Sequence, residues 1–378
     1  MKRLFLILLY LPFFSFSQTL TLVDSIKINQ SQIWSGISYD NNIIRLSTMM
    51  PGNTTGNHIF LLEFDTSLNQ INTPVQLTFD TDIPSGKSIT DHKHVYVNKE
   101  LFVSFSLTQD EDLYLFKTDS LANRIGSIQT VVTAQPDPTN DMIMFNSDSL
   151  IHILFFRPIS QHNVYTYDLN LNFQQNQITS SALPHNNIGE ALYVPPLYYM
   201  FTGSNFGHNS NLVLTKWNSD WTPAMTSSQN ILSSINGDGN WFSTGLIHDT
   251  LNNLWIVAFQ HIEQFTPIDD EHIDIVIFDD NFNEINRIHA TDDNCFRPDL
   301  LLHNGYLYLT YDKSGNGVFI HKYLLGNITP SFMIQNSNKK KHLKYKLDIL
   351  GRKTQGTTNQ PLLYIYDDGT VEKKIIVE

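Results

Sequence analysis

The chain has 378 residues, 41% hydrophobic and 12% aromatic, and a formal net charge of −13. Residues 1–17 carry +2 and those from Ser331 onward carry +4, nine Lys/Arg against five Asp/Glu, which leaves −19 on the body between them. So acidic a body repels phosphate backbones and anionic membranes, which excludes nucleic acid as an expected partner, and its single cysteine, Cys295, excludes a disulfide framework or a thiolate metal cluster.

Lys2 and Arg3 precede an apolar run from Leu4 to Phe14 and a small-residue site at Ser15-Phe16-Ser17. Cationic start, short hydrophobic segment and cleavage site are the order of a secretory signal peptide. A spanning helix needs about 20 apolar residues, more than this run offers. The expected mature chain therefore begins near Gln18 with no transmembrane segment, and its expected location is secreted or on the cell surface.

Helical periodicity is nearly absent from residues 18–327. Short runs alternate apolar and polar residues, are rich in Val, Ile, Tyr and Phe, and are separated by Asn/Asp/Gly/Ser turns, the pattern of half-buried strands. The runs recur. Phe64, Phe116, Tyr167, Trp217, Phe278 and Tyr323 each end a strand, in the first five before a polar turn such as Asp65-Thr66-Ser67-Leu68-Asn69, at steps of 52, 51, 50, 61 and 45 residues. A period near 50 residues with three or four strands per unit predicts an all-β chain folded as a six-bladed β-propeller. A pair of β-sandwiches is the structural alternative. The sixth unit, Arg297 to Leu325, offers only three strands, and Leu20–Ile28 is the expected fourth, closing the ring.

In this architecture the start of an inner strand carries an acid in several units: Asp91, Asp141, Glu190 and Asp299. Converging on the axis, they would form either a wet channel mouth or a functional site. Clustered carboxylates suit Ca²⁺, the one cofactor the pattern allows for, or an acid and base for glycosidic cleavage. Asp141, Glu190 and Asp299 are thus the candidate catalytic residues. Arg297-Pro298 resembles the Arg-Pro strands of sialidase-like, sugar-active propellers, and Arg297 would clamp a carboxylate or else pair with Asp292 or Asp293. Trp34 and Trp241 fall near expected loops, where an indole stacks on a sugar ring, whereas Trp217, Trp221 and Trp255 fall in or beside strand patterns and read as core. Of the fourteen histidines, His92 and His94 alternate on one strand face and would need a third ligand to hold Zn²⁺. His185, His208 and His261 read as loop residues without a partner. No nucleophile-elbow, zincin, Walker or dinucleotide motif occurs.

Residues 328–342 turn polar, end in Lys339-Lys340-Lys341 and read as a linker. Beyond them, Asp348-Ile349-Leu350-Gly351-Arg352, Tyr364-Ile365-Tyr366, Asp367-Asp368-Gly369 and Lys373-Lys374-Ile375-Ile376-Val377 follow one another. Residues 343–378 resemble the type A C-terminal sorting signal of cargo of the type IX secretion system of Gram-negative bacteria. The resemblance implies export through that machinery to the cell exterior. Three departures stand out: the extra N-terminal strands and Pro-Asn-Pro opening of full-length members are missing, and Pro361-Leu362-Leu363 replaces the Gly that usually precedes the Tyr-Ile strand. Two functions remain open at this point: a surface binding module for glycan or protein, and a glycoside hydrolase or lyase acting on extracellular polysaccharide.

Overall fold

In the computed structural model of the chain, the residues described are 20–28, 33–51, 56–107, 112–132, 142–157, 161–179, 187–203, 211–232, 239–262, 271–292, 294–326, 343–347, 352–354, 361–366 and 371–375. The chain divides into two compact units between Thr329 and Pro330.

The first unit is built of strands. After β1 (Leu20–Ile28), blade 1 comprises β2 (Ile33–Asp40), β3 (Ile43–Pro51), β4 (Asn57–Phe64) and β5 (Val75–Gln76). Blade 2 comprises β6 (Ile89–Val97), β7 (Glu100–Leu107), β8 (Leu113–Thr118) and β9 (Arg124–Val132). Blade 3 holds β10 (Met142–Ser147), β11 (Leu150–Arg157), β12 (Gln161–Asp168) and β13 (Phe173–Ile178). Blade 4 holds β14 (Asn187–Val194), β15 (Leu197–Gly203), β16 (Leu212–Trp217) and β17 (Gln229–Leu232). Blade 5 follows with β18 (Gly239–Asp249), β19 (Leu254–Ile262), β20 (Glu271–Phe278) and β21 (Glu284–His289), and blade 6 with β22 (Cys295–His303), β23 (Tyr306–Lys313) and β24 (Gly317–Leu325). Each sheet is antiparallel and four-stranded, β1 lying against β24 with Leu20 opposite Leu325 and Ile28 opposite Val318. The first strands touch in a cycle, β2 with β6, β6 with β10, β10 with β14, β14 with β18, β18 with β22 and β22 with β2. The unit is a six-bladed β-propeller.

Period-two alternation explains why both faces of each blade are apolar. In β19, Leu254, Ile256 and Ala258 face blade 6, while Trp255, Val257 and Phe259 face blade 4. Every junction between neighbouring blades has such a core, six in all. Burying one Leu, Ile or Phe side chain contributes about 1.5–3 kcal/mol, so the junctions are the main source of cohesion. Trp217, Trp221 and Trp255 lie in these cores, at most 3% exposed.

The recurrent polar turn is a local device. Asp65, Asp119, Asp168 and Asp279 each accept with Oδ1 the backbone N–H groups two and four residues on, and with Oδ2 the side-chain amide of the Asn four residues on. The residue before that Asn takes positive φ, 60° at Leu68, 64° at Ala122, 63° at Leu171 and 61° at Phe282. The carboxylate cap holds this uncommon conformation and directs Leu68, Leu171 and Phe282 into the blade junctions.

The second unit contains a three-stranded antiparallel sheet of β25 (Leu343–Leu347), β26 (Pro361–Tyr366) and β27 (Val371–Ile375). Among the described side chains of this sheet, Leu362 and Tyr364 are buried.

Candidate functional site at the propeller axis

Five of the six inner strands break register near their starts. The irregularities fall between Ile33 and Ser35, Ile89 and Asp91, Asn187 and Glu190, Asn240 and Thr244, and Phe296 and Asp299. Such bulges re-aim a side chain without ending the strand. Asp91, Glu190 and Asp299 are therefore equivalent: each is the residue at which pairing resumes, in blades 2, 4 and 6. Trp34, Trp241 and Arg297 lie within the bulged segments at the same end of the inner strands.

Lys93 ties the acids together. It follows Asp91 by two residues and shares its strand face, and its Nζ stands 3.5 Å from Glu190 Oε2, across from blade 2 to blade 4. Each of these two side chains keeps only 12–13% of its surface accessible. Burial disfavours the Lys93 ammonium, but the fields of Glu190, Asp299 and Asp91 overcome it and hold the amine charged well above the usual lysine range. Glu190 has the opposite balance. Burial, reinforced by the charge of Asp299, outweighs the attraction of Lys93 and pushes its carboxyl up to about 7. The cost of burying this pair thus falls on Glu190, because Lys93 faces three acids while Glu190 faces one cation and another acid.

Asp299 is held differently. Its Oδ2 accepts the Ile37 N–H at 2.9 Å and its Oδ1 accepts the Leu300 N–H at 2.8 Å, so it stitches blade 6 to blade 1. Burial raises its pKa, opposed by Lys93 and the two amides. The arrangement combines an ammonium donor, a clamped carboxyl acceptor and a carboxyl that changes protonation near neutrality. The positive charge among these acids comes from Lys93, which sequence reasoning did not single out. Its two-residue spacing from Asp91 was the available signal.

Other candidates separate from this group. Asp141 and the side chains of Trp34 and Trp241 lie outside the described residues, as do His185 and His208. Arg297 has φ of 54° within the bulge and forms an ion pair at 2.9 Å with Asp312 on the neighbouring strand, while Asp293 lies outside the described residues. His92 and His94 point to blade 1, where Ser47 Oγ hydrogen-bonds His92 Nε2 at 2.9 Å and His94 Nδ1 at 2.6 Å, and Ser38 Oγ bonds His94 Nε2 at 2.8 Å. Burial pushes both imidazoles down to about 3, so they are neutral at pH 7 and serve as junction hydrogen-bonding groups instead of a Zn²⁺ pair. A groove of about 600 Å³, lined in part by His248, Asp249, Leu302 and His303, opens at the opposite end of blades 5 and 6 and does not include the axial charges.

No family model matches the sequence, and no curated protein matches it. Solved structures do resemble it in fold. A Trypanosoma rangeli sialidase in complex with sialic acid matches with TM-score 0.51 and 8% identity over 82% of this chain, which spans 60% of the sialidase. A member of the DUF4221 family from Bacteroides vulgatus matches at TM-score 0.46 and 10% identity, covering 81% of this chain and 98% of its own. A GH43 endo-arabinanase from Bacillus licheniformis matches at 0.42 and 13%, covering 68% and 98%. At these identities the likeness is one of fold.

Proposed function

We propose that this chain is a secreted or surface-displayed propeller that binds a glycan at the axial mouth where the inner strands begin. The observation that carries the reading is the convergence of Asp91, Lys93, Glu190 and Asp299 from three alternate blades into one charge-coupled group. A recessed set of donors and acceptors suits hydroxyl-rich sugar better than the flat face of a protein partner. Trp34 and Trp241, placed by their bulges at the same end, are the proposed stacking groups, and Arg297 a proposed rim contact. Export is proposed to use the signal peptide and then the type IX machinery, through residues 343–378.

The test is a glycan array with the purified mature chain, with and without Ca²⁺, repeated with Lys93→Met and Glu190→Gln. Glycan binding that both variants weaken about tenfold or more supports the reading, since a hydrogen bond to a charged group contributes about 1.5–3 kcal/mol. Binding that neither variant changes overturns it. A second reading, glycoside hydrolysis, is favoured by the contrast between two buried carboxyls: Glu190, which burial and the charge of Asp299 push up to about 7, and Asp299, clamped by the Ile37 and Leu300 N–H groups. Release of reducing ends from a bound oligosaccharide, abolished by Glu190→Gln, would select it.

A further inference from the structure

Blade 5 carries a second polar cluster, which shares no residue with the Lys93 group. His261 and His272 are opposite one another on β19 and β20, and Asp274 is opposite His289 on β20 and β21. His272 and Asp274 are two residues apart, so all four side chains share one sheet face. Below them the same face continues into the apolar core shared with blade 4, through Phe259, Val276 and Phe278.

The ligand-type atoms lie close enough together to share one small ion. Asp274 Oδ2 is 3.2 Å from His261 Nδ1, and Asp274 Oδ1 is 3.3 Å from His272 Nε2 and 3.5 Å from His289 Nδ1. One atom from each of His261, His272 and Asp274 can be chosen so that all lie within 4.8 Å of one another. A tetrahedral ion with bonds of about 2.0–2.1 Å sets its ligands about 3.3 Å apart. Asp274 is 5% exposed and His272 1%. The neighbouring guanidinium compensates Asp274 only partly: Arg287 Nη1 is 3.9 Å away, while its Nη2 bonds Glu284 at 2.8 Å.

We propose that His261, His272 and Asp274, completed by His289, bind a divalent late first-row metal ion such as Zn²⁺ and so tie β19, β20 and β21 together. Three imidazoles and one carboxylate are the donor set this class of ion prefers. With His289 as the fourth ligand no position is left open, which makes the proposed site a structural one.

Metal-stripped mature chain would be titrated with Zn²⁺ by calorimetry and with Co²⁺ by visible absorption. The expected result is one equivalent of tight binding, the strong visible bands of four-coordinate Co²⁺, and a Zn²⁺-dependent rise in Tm. The double variant His261→Gln/His272→Gln should lose the bands and the rise. The exposed-edge variant His289→Gln, which removes the fourth ligand and leaves the buried pair untouched, should weaken Zn²⁺ binding by more than the roughly 10- to 100-fold typical of losing an outer-shell partner. Binding of equal strength in wild type and His289→Gln, or tight Zn²⁺ retained by the double variant, overturns the site, as does the absence of stoichiometric binding by the wild type.

Discussion

Lys93 in the second blade and Glu190 in the fourth are 97 residues apart in sequence and 3.5 Å apart at the axis. Because the chain must complete two blades to bring them together, the pair reports on the assembled ring. Its pH behaviour follows from Glu190, whose carboxyl rises from 4.5 to about 7 on folding. The folded state then binds more protons than the unfolded state between those values. Stability from this group is fully present below about pH 4.5 and is lost as pH rises to about 7, by roughly 3 kcal/mol. Glu190→Gln removes the titration. Denaturant midpoints of variant and wild type across pH 4–8 should therefore diverge, the variant gaining relative stability toward pH 8. Parallel profiles would show that Glu190 titrates normally.

Gly245 on β18 approaches the axis from the fifth blade. A Cβ there would lie 2.9 Å from the backbone nitrogen of Leu300 and 3.0 Å from the carbonyl carbon of Asp299. Since backbone is what it meets, Gly245→Ala is expected to cost about 1–3 kcal/mol, the usual penalty for overpacking. It should also loosen the Asp299 clamp. Thermal melts check the first effect, and glycan affinity relative to wild type checks the second. An unchanged Tm would mean that the inner strands can separate without cost.

The strands and their six-fold recurrence were legible because propeller blades bury both faces, which leaves alternating apolar runs between turns. The Asp-to-Asn turn was visible as a pattern, although its reason, holding a positive φ while a side chain enters the junction, needed geometry. The acids Asp91, Glu190 and Asp299 could be placed because each opens an apolar inner strand. Lys93 was overlooked since a lysine inside a strand reads as solvent-facing, and only the convergence of the ring makes that direction interior. His261 read as a loop residue because β19 continues beyond its apolar stretch to Ile262. Its partners, His272 and Asp274, are 11 and 13 residues on, and register alone brings them beside it. The bulges at the strand starts are invisible to periodicity, because they are a property of pairing.

The first strand is expected to matter more than its exposure suggests. Most of β1 is solvent-facing, with Leu22 50% and Val23 48% exposed, but Ile28 is buried at 5% in the junction core with Val318 and Ile320. A chain beginning at Gln30 loses that contact and leaves β24 as an open edge. The expected loss is about 2 kcal/mol or more from Ile28 alone, together with a tendency of the bare edge to pair with other copies. Differential scanning calorimetry and light scattering on the two chains measure both. Equal Tm and equal monodispersity would show that the ring closes without β1.

The C-terminal residues offer the test of destination. Arg352 is exposed, and Lys373 and Lys374 lie on β27 opposite Leu363 and Leu362 of β26, so the basic end of the tail is carried on a strand hairpin. A hairpin of five or six residues per strand is marginal by itself. Removing Leu343–Glu378 is therefore expected to leave the propeller's melting temperature unchanged. In a host with type IX secretion it should strand the protein in the periplasm. Fractionation of periplasm, surface and medium, with the melting curve as a control for folding, separates the two effects. Undiminished surface or medium levels of a well-folded truncated chain would remove the tail from the export route.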